Sequence, residues 1–117
     1  MAKIVVCGSR TIIDYSFIKT NLDRLVNKDD TIVSGGANGV DKLAEKYAKE
    51  TGMDCVVFNA QWKVGDKLDR GAGYKRNVKM IDYADSVICL WNGMSKGTKH
   101  SIDYAKKHNK LMEVIYI

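Results

Sequence analysis

Three segments of this 117-residue chain combine glycine with the small polar and cationic groups that hold anions and sugars. Gly8-Ser9-Arg10 follows an apolar run and sets a hydroxyl beside a guanidinium, which can clamp phosphate through two parallel N–H donors. Ser34-Gly35-Gly36-Ala37-Asn38-Gly39-Val40-Asp41 leaves a second apolar run and opens a segment of helical period. Free N–H groups and the helix dipole at such a start attract an anion, and glycines admit a phosphate or ribose close to the backbone. Asn38 is expected as N-cap with Asp41 three positions on, a near capping box. The Asp41 carboxylate competes with phosphate at the positive end of the dipole, so a ribose hydroxyl is its more natural partner. Gly97-Thr98 follows the loop Asn92-Gly93-Met94-Ser95-Lys96 and offers another helix start, with Thr98 as cap or ligand donor.

Two further segments supply groups to such a site. Arg76-Asn77 lies near the start of a helical segment and adds a second guanidinium. The stretch from Phe58 to Gly73 is long for a connection in a chain of this size, and Trp62 within it can stack on a base or cap the core. No Gly-x-x-x-x-Gly-Lys-Ser/Thr occurs, so a phosphate-loop NTPase is excluded. Cys7, Cys55 and Cys89 stand far apart in β-branched apolar runs, where core positions are expected, and His100 and His108 lie near one end. Neither set has metal-ligand spacing, so no metal site is expected, nor any cofactor.

The elements that must position these residues follow from periodicity. Lys3 to Cys7, Thr31 to Ser34, Asp54 to Phe58, Ser86 to Trp91 and Leu111 to Ile117 are short, almost continuously apolar runs, the pattern of strands covered on both faces in a parallel sheet. Helical stripes lie between them: Ile18, Leu22, Leu25 and Val26; Val40, Leu43, Ala44, Tyr47 and Ala48; about Gly73 to Tyr83 through Val78 and Ile81; about Thr98 to Asn109 through Ile102 and Ala105. The order β-α-β-α-β-α-β-α-β predicts an α/β fold, a doubly wound, mostly parallel five-stranded sheet with helices on both faces. Ligands in such folds sit at the carboxyl ends of strands near the switch point in strand order, and the glycine-bearing loops follow three of those ends.

Composition agrees with one domain over residues 1–117: 45% hydrophobic, 28% charged, no proline, no repeats or linkers. The longest uninterrupted apolar run, Val87 to Trp91, is far short of the roughly 20 residues of a membrane helix, so no membrane partner is expected. With no leader-like N-terminus, a cytoplasmic location is expected. Nineteen Lys+Arg against 14 Asp+Glu give a net charge of +5, spread along the chain, which suits an anionic partner, nucleotide or nucleic acid. A strand at the C-terminus leaves a sheet edge that invites pairing, so a homodimer is a further expectation.

Taken together, Ser34 to Asp41, Ala60-Gln61-Trp62, Ala72-Gly73-Tyr74-Lys75-Arg76-Asn77 followed by Met80, and the Gly97-Thr98 helix start resemble the small SLOG domains of the YspA and YpsA-related type. That superfamily is named after the Smf/DprA DNA-processing proteins and the LOG phosphoribohydrolases. The resemblance spans nearly the whole chain and implies a Rossmann-like fold binding nucleotides or nucleotide-derived ligands where these loops meet. LOG-type enzymes carry a Pro-Gly-Gly-x-Gly-Thr-x-x-Glu loop with a catalytic Glu and a preceding Arg; here Ser101 stands at the Glu position and only Arg76 matches the pair. Glycosidic cleavage needs a carboxylate, for which serine is a poor substitute. Asp41 and Asp103 are the carboxylates that closeness in the fold could bring into that role.

The leading reading is therefore a binding module, a sensor or sequestering protein for a nucleotide-derived small molecule, with no catalytic residue assigned. An N-glycosidic hydrolase acting on a nucleoside 5′-monophosphate and a nucleic-acid-binding domain are the alternatives.

Overall fold

A computed structural model describes residues 1–12, 14–61, 63–65, 67–69 and 71–117. Strand β1 (Lys3–Gly8), helix α1 (Tyr15–Leu25), β2 (Thr31–Ser34), α2 (Val40–Thr51) and β3 (Asp54–Val57) form the first half. A short antiparallel hairpin follows, β4 (Lys63–Val64) and β5 (Lys67–Leu68), then α3 (Ala72–Tyr83), β6 (Ser86–Trp91), α4 (Lys96–Lys107) and β7 (Leu111–Tyr116). The main sheet has the order β3-β2-β1-β6-β7 with every neighbouring pair parallel. The predicted elements are all present. The hairpin was not expected and lies inside the segment read as one long loop.

Alternation along the central strands sorts their side chains to two cores. Ile4 and Val6 of β1, Ile32 of β2 and Ile88 and Leu90 of β6 pack with Ile18 and Leu22 of α1 and Val40, Ala44, Tyr47 and Ala48 of α2. The intervening residues Val5, Cys7, Val33, Val87 and Cys89 pack on the opposite side with Met80 and Ile81 of α3 and Ile102 and Ala105 of α4. Both faces of the middle of the sheet are covered, which is why its strands read as unbroken apolar runs. The edges are covered less: β3 is mostly exposed and β7 at best half-buried. Cys55 is accordingly exposed, correcting its expected place in the core, whereas Cys7 and Cys89 are buried and face each other across β1 and β6 with their sulfurs 3.4 Å apart.

The chain runs outward from β1 to β3 on one side and returns to β6 on the other, so strand order reverses between β1 and β6. That reversal opens a crevice at the carboxyl ends of these strands, because the loops leaving β1 and β6 diverge to opposite faces. Gly39 brings α2 to the rim of this crevice. It has φ of +81°, and a Cβ there would lie 2.5 Å from the Ser9 carbonyl oxygen, so only glycine fits.

Candidate functional site

A cavity of about 460 Å³ occupies the crevice, and a second of about 320 Å³ adjoins it above the end of β2. Both are lined by Arg10, Ala37 and Arg76. The larger is bounded further by Gly8 and Ser9 after β1, Asp41 on α2, Tyr74 and Asn77 on α3, Asn92 and Ser95 after β6, and Gly97, Thr98 and Ser101 on α4. The smaller is bounded by Gly35, Gly36, Asn38, Asn59 and Ala60. Together their volumes fall in the usual range of small-molecule sites.

Local hydrogen bonds hold the loops in place. The buried Ser9 donates its N–H to the Leu90 carbonyl at 3.1 Å and accepts the Asn92 N–H on its hydroxyl at 3.3 Å, tying the loop after β1 to the loop after β6. The Asn92 side-chain oxygen accepts from the N–H groups of Met94 and Ser95 at 2.9 and 3.0 Å, turning the chain into α4. Ser34 is fully buried below the smaller cavity, where its hydroxyl accepts the Gly36 N–H at 3.1 Å and donates to Glu45 Oε2 at 2.7 Å.

The helix starts differ from the expected capping. Gly39, not Asn38, is the N-cap of α2 and makes no side-chain cap bond; Asn38 is exposed. Asp41 is then the second residue of the helix, one turn position too early for a capping box, and its Oδ2 accepts instead from the Ala37 N–H at 3.2 Å. The Val40 N–H is directed to the Ser9 carbonyl at 3.5 Å. In α4 the cap is Ser95, whose hydroxyl accepts the Thr98 N–H at 3.4 Å, because the helix begins at Lys96, earlier than read from periodicity. Thr98 lies in its first turn, its hydroxyl 3.1 Å from that of Ser95.

Charge at the site is concentrated on three residues. Asp41 is only 4% exposed, and loss of water pushes its carboxyl up to about 6; the Ala37 N–H, Arg76 and Arg10 pull it down against that, while Glu45 adds to the rise. Arg76 is half-buried, its Nη1 donating to the Gly35 carbonyl and its Nε to Asn77 Oδ1 at 2.9 Å. Burial lowers its pKa and the Asp41 charge raises it, but a guanidinium stays protonated at any ordinary pH. Gly35 separates these two charges: a Cβ there would lie 2.8 Å from Asp41 Oδ2 and 2.9 Å from Arg76 Nη1. Arg10 is exposed at the rim.

The structure therefore brings Gly8, Ser9, Arg10, Ala37, Asp41, Arg76, Asn77, Gly97 and Thr98 to one cavity and Gly35, Gly36 and Asn38 to its neighbour, with Ser34 beneath. Trp62 lies outside the described residues. Asp103 does not reach the site; it is exposed and paired with Lys99 at 2.8 Å on the outer face of α4. Ser101 does reach it, buried in the cavity wall with its hydroxyl donating to the Gly97 carbonyl at 3.3 Å. Tyr74, Asn92, Ser95 and Asn59 also line the cavities; they lie in segments marked in the sequence but carry no ligand role there. Asn59 follows the end of β3, so the strand-end rule that found the other loops could have found it.

Strand order, the two helical layers and a crevice at the switch point define a Rossmann-like α/β fold. Residues 2–65 match the model of the YspA, cpYpsA-related SLOG family, YAcAr, and the chain belongs to that family. It is 28% identical over 116 residues to the Gene 61 protein of Mycobacterium phage D29, covering 92% of this chain and 90% of that protein. Among solved structures it is similar to TM1055, with a TM-score of 0.69 and 22% identity over 95% of this chain and 72% of that one. It is also similar to DNA processing protein A from Helicobacter pylori, a protein solved for its single-stranded DNA binding mode, with a TM-score of 0.67 and 22% identity. That match covers 95% of this chain but 64% of the other, so the chain spans under two thirds of that protein's length.

Proposed function

We propose that the chain binds a nucleotide-derived small molecule in the larger cavity and acts as a sensor or sequestering module for it. The observation that carries this reading is the placing of two guanidiniums, Arg10 and Arg76, and one nearly buried carboxylate, Asp41, on the wall of a 460 Å³ cavity. The guanidiniums supply paired donors for phosphate oxygens, with the first turn of α4 adding partial positive charge. A carboxylate in the same wall repels phosphate and accepts from hydroxyls, so it suits a ribose. A phosphoester of a sugar is the group that satisfies both.

A hydrolase is the second reading, supported by the Asp41 carboxyl, whose elevation to about 6 suits a group that must give and take a proton near neutrality. Nucleic acid is the third, supported by the +5 charge and by the single-stranded DNA binding of the Helicobacter neighbour. Among the described residues no helix is long and apolar enough to cross a membrane. The exposed β7 edge of the sheet suits pairing with that of a second copy.

The test incubates purified protein with mononucleotides, dinucleotides, nucleoside diphosphate sugars and cyclic nucleotides, then analyses bound and free fractions by chromatography and mass spectrometry. Retention of an intact compound by wild type and its loss in Arg76→Ala is expected. Free base and ribose phosphate would make the chain a hydrolase. Absence of both retention and turnover, with binding of an oligonucleotide that weakens steeply as salt rises, would move the function to nucleic acid.

A further inference from the structure

The positive charge that is spread along the sequence is gathered by the fold. Helices α1 and α2 carry five cationic side chains against four carboxylates, whereas α3 and α4, on the opposite face of the sheet, carry seven against two. Pairing sharpens the contrast. Lys19, Arg24, Lys42 and Lys46 each meet a carboxylate at 2.6–3.8 Å, leaving Lys49 as the one unpaired cation of the first layer among the described residues. In the second layer Lys75 is held by Asp69 and Lys99 by Asp103. Lys79, Lys96, Lys106 and Lys107 are exposed and have no carboxylate partner among the described residues. Like charges collected on one face repel one another until an anionic partner neutralises them.

The same face carries a row of rings. His100, Tyr104 and His108 follow one another at every fourth position of α4, with centroids 6.4 and 4.3 Å apart, and Tyr74 of α3 meets His100 edge-on at 4.7 Å. The row runs along the side of α4 nearest α3, where the Tyr104 hydroxyl donates to Asp82 at 2.7 Å. Its end members, Tyr74 and His108, are exposed, and each has a ring neighbour on one side only among the described residues. Lys96 and Lys107 share the outer stripe of α4 with His100, beside this row. Two polyanions answer to the cations alone, a nucleic acid and an anionic bilayer. Neither helix exposes a large aliphatic side chain that could enter a bilayer, Tyr74 and Tyr83 being their exposed large apolar residues. Lysines interleaved with rings match instead the phosphates and unstacked bases of a single strand.

We propose that the α3–α4 face binds single-stranded nucleic acid, with phosphates on Lys79, Lys96, Lys106 and Lys107 and bases against the two ends of the ring row. The surface lies outside the crevice, sharing Tyr74 with its wall, so the proposal does not rest on the small-molecule reading and both hold together. Fluorescence anisotropy on the intact chain tests it with a labelled oligothymidylate of about 12 nucleotides. Affinity is expected to fall about 50-fold between about 50 and about 200 mM salt, as for four phosphates neutralised on a single strand. Lys106→Gln combined with Lys107→Gln should weaken binding about 20-fold at about 0.1 M salt. Lys42→Gln combined with Lys49→Gln removes the same charge from exposed positions on α2 and should weaken it less than about 3-fold. The single strand should bind at least about 10-fold more tightly than its duplex with oligoadenylate, whose base faces are hidden in the stack. Melting temperatures equal to that of wild type establish that both variants are folded.

Equal losses in the two lysine pairs would reduce the attraction to net charge and overturn the assignment to this face. Binding abolished by Arg76→Ala but untouched by the α4 pair would place the strand in the crevice and overturn it as well. A duplex bound as tightly as the single strand would overturn the part given to the rings. Binding to vesicles containing phosphatidylglycerol with none to the oligonucleotide would make the face a membrane surface, and no binding to either would overturn the proposal while leaving the ligand of the larger cavity in place.

Discussion

Arg76 on α3 donates through Nη1 to the carbonyl of Gly35, 41 residues earlier at the end of β2. This bond joins α3 to the loop between β2 and α2 and, with the Nε bond to Asn77, fixes the plane of the guanidinium, leaving Nη2 with no protein partner among the described residues. A lysine keeps the charge but cannot hold the carbonyl and a ligand through one rigid fork. Arg76→Lys is expected to weaken binding of the retained nucleotide about 10- to 100-fold, the loss of about 1.5–3 kcal/mol typical of a charged hydrogen bond. Calorimetry measures this, and wild-type affinity in the lysine variant would show that charge alone suffices.

Asp41 ties the site to stability. Its carboxyl is raised in the folded protein from 3.8 to about 6, so folding favours the protonated form. The stability this contributes is complete below pH 3.8 and lost as pH rises through about 6. Asp41→Asn, which cannot ionise and keeps an oxygen for the Ala37 N–H, removes the dependence. Its stability relative to wild type is expected to increase by about 2.4 kcal/mol between pH 4 and pH 8. Urea unfolding at the two pH values checks the sign; a pH-independent difference would exclude a raised carboxyl.

Gly39 carries the conformational constraint at the start of α2. With φ of +81° and the Ser9 and Arg10 carbonyl oxygens 2.5 and 2.6 Å from a Cβ position, Gly39→Ala must shift backbone. A loss of about 2 kcal/mol or more is expected, combining left-handed strain with displacement of the loop after β1. The unfolding midpoint reads this directly, and an unchanged midpoint would mean the loop yields at no cost.

The three thiols should separate by exposure. Cys55 lies on the edge strand β3 and is exposed; Cys7 and Cys89 are buried, and the Cys7 thiol is held well above its ordinary pKa, first by its bond to Cys89 and then by burial. A thiol-specific chromogenic reagent is expected to label one cysteine in the native protein and all three in denaturant. Rapid labelling of three would show that the β1–β6 floor of the cavity opens in the native state.

Much of the architecture was legible because it is periodic. Val40, Ala44, Tyr47 and Ala48 are the buried stripe of α2, and the apolar run Ser86 to Trp91 is the strand β6. Boundaries were less legible where a local competitor acts. Ser95 rather than Thr98 caps α4, since a hydroxyl three residues before a free N–H captures it wherever the turn allows. The β4–β5 hairpin escaped notice because its strands have two residues each, too short for any alternation to show.

By itself the sequence determined the parallel sheet, its helices and the loops at strand ends, because each rests on the period of apolar residues or on glycine within a few positions. Only the tertiary structure decided that Gly8, Asp41, Arg76 and Thr98 share one cavity, that Asp103 stands outside it, and that Arg10 and Arg76 divide it from a second. These relations depend on the reversal of strand order between β1 and β6, which gathers loops from distant parts of the chain. Desolvation of Asp41 is set in the same way, by neighbours that lie close in space rather than along the chain.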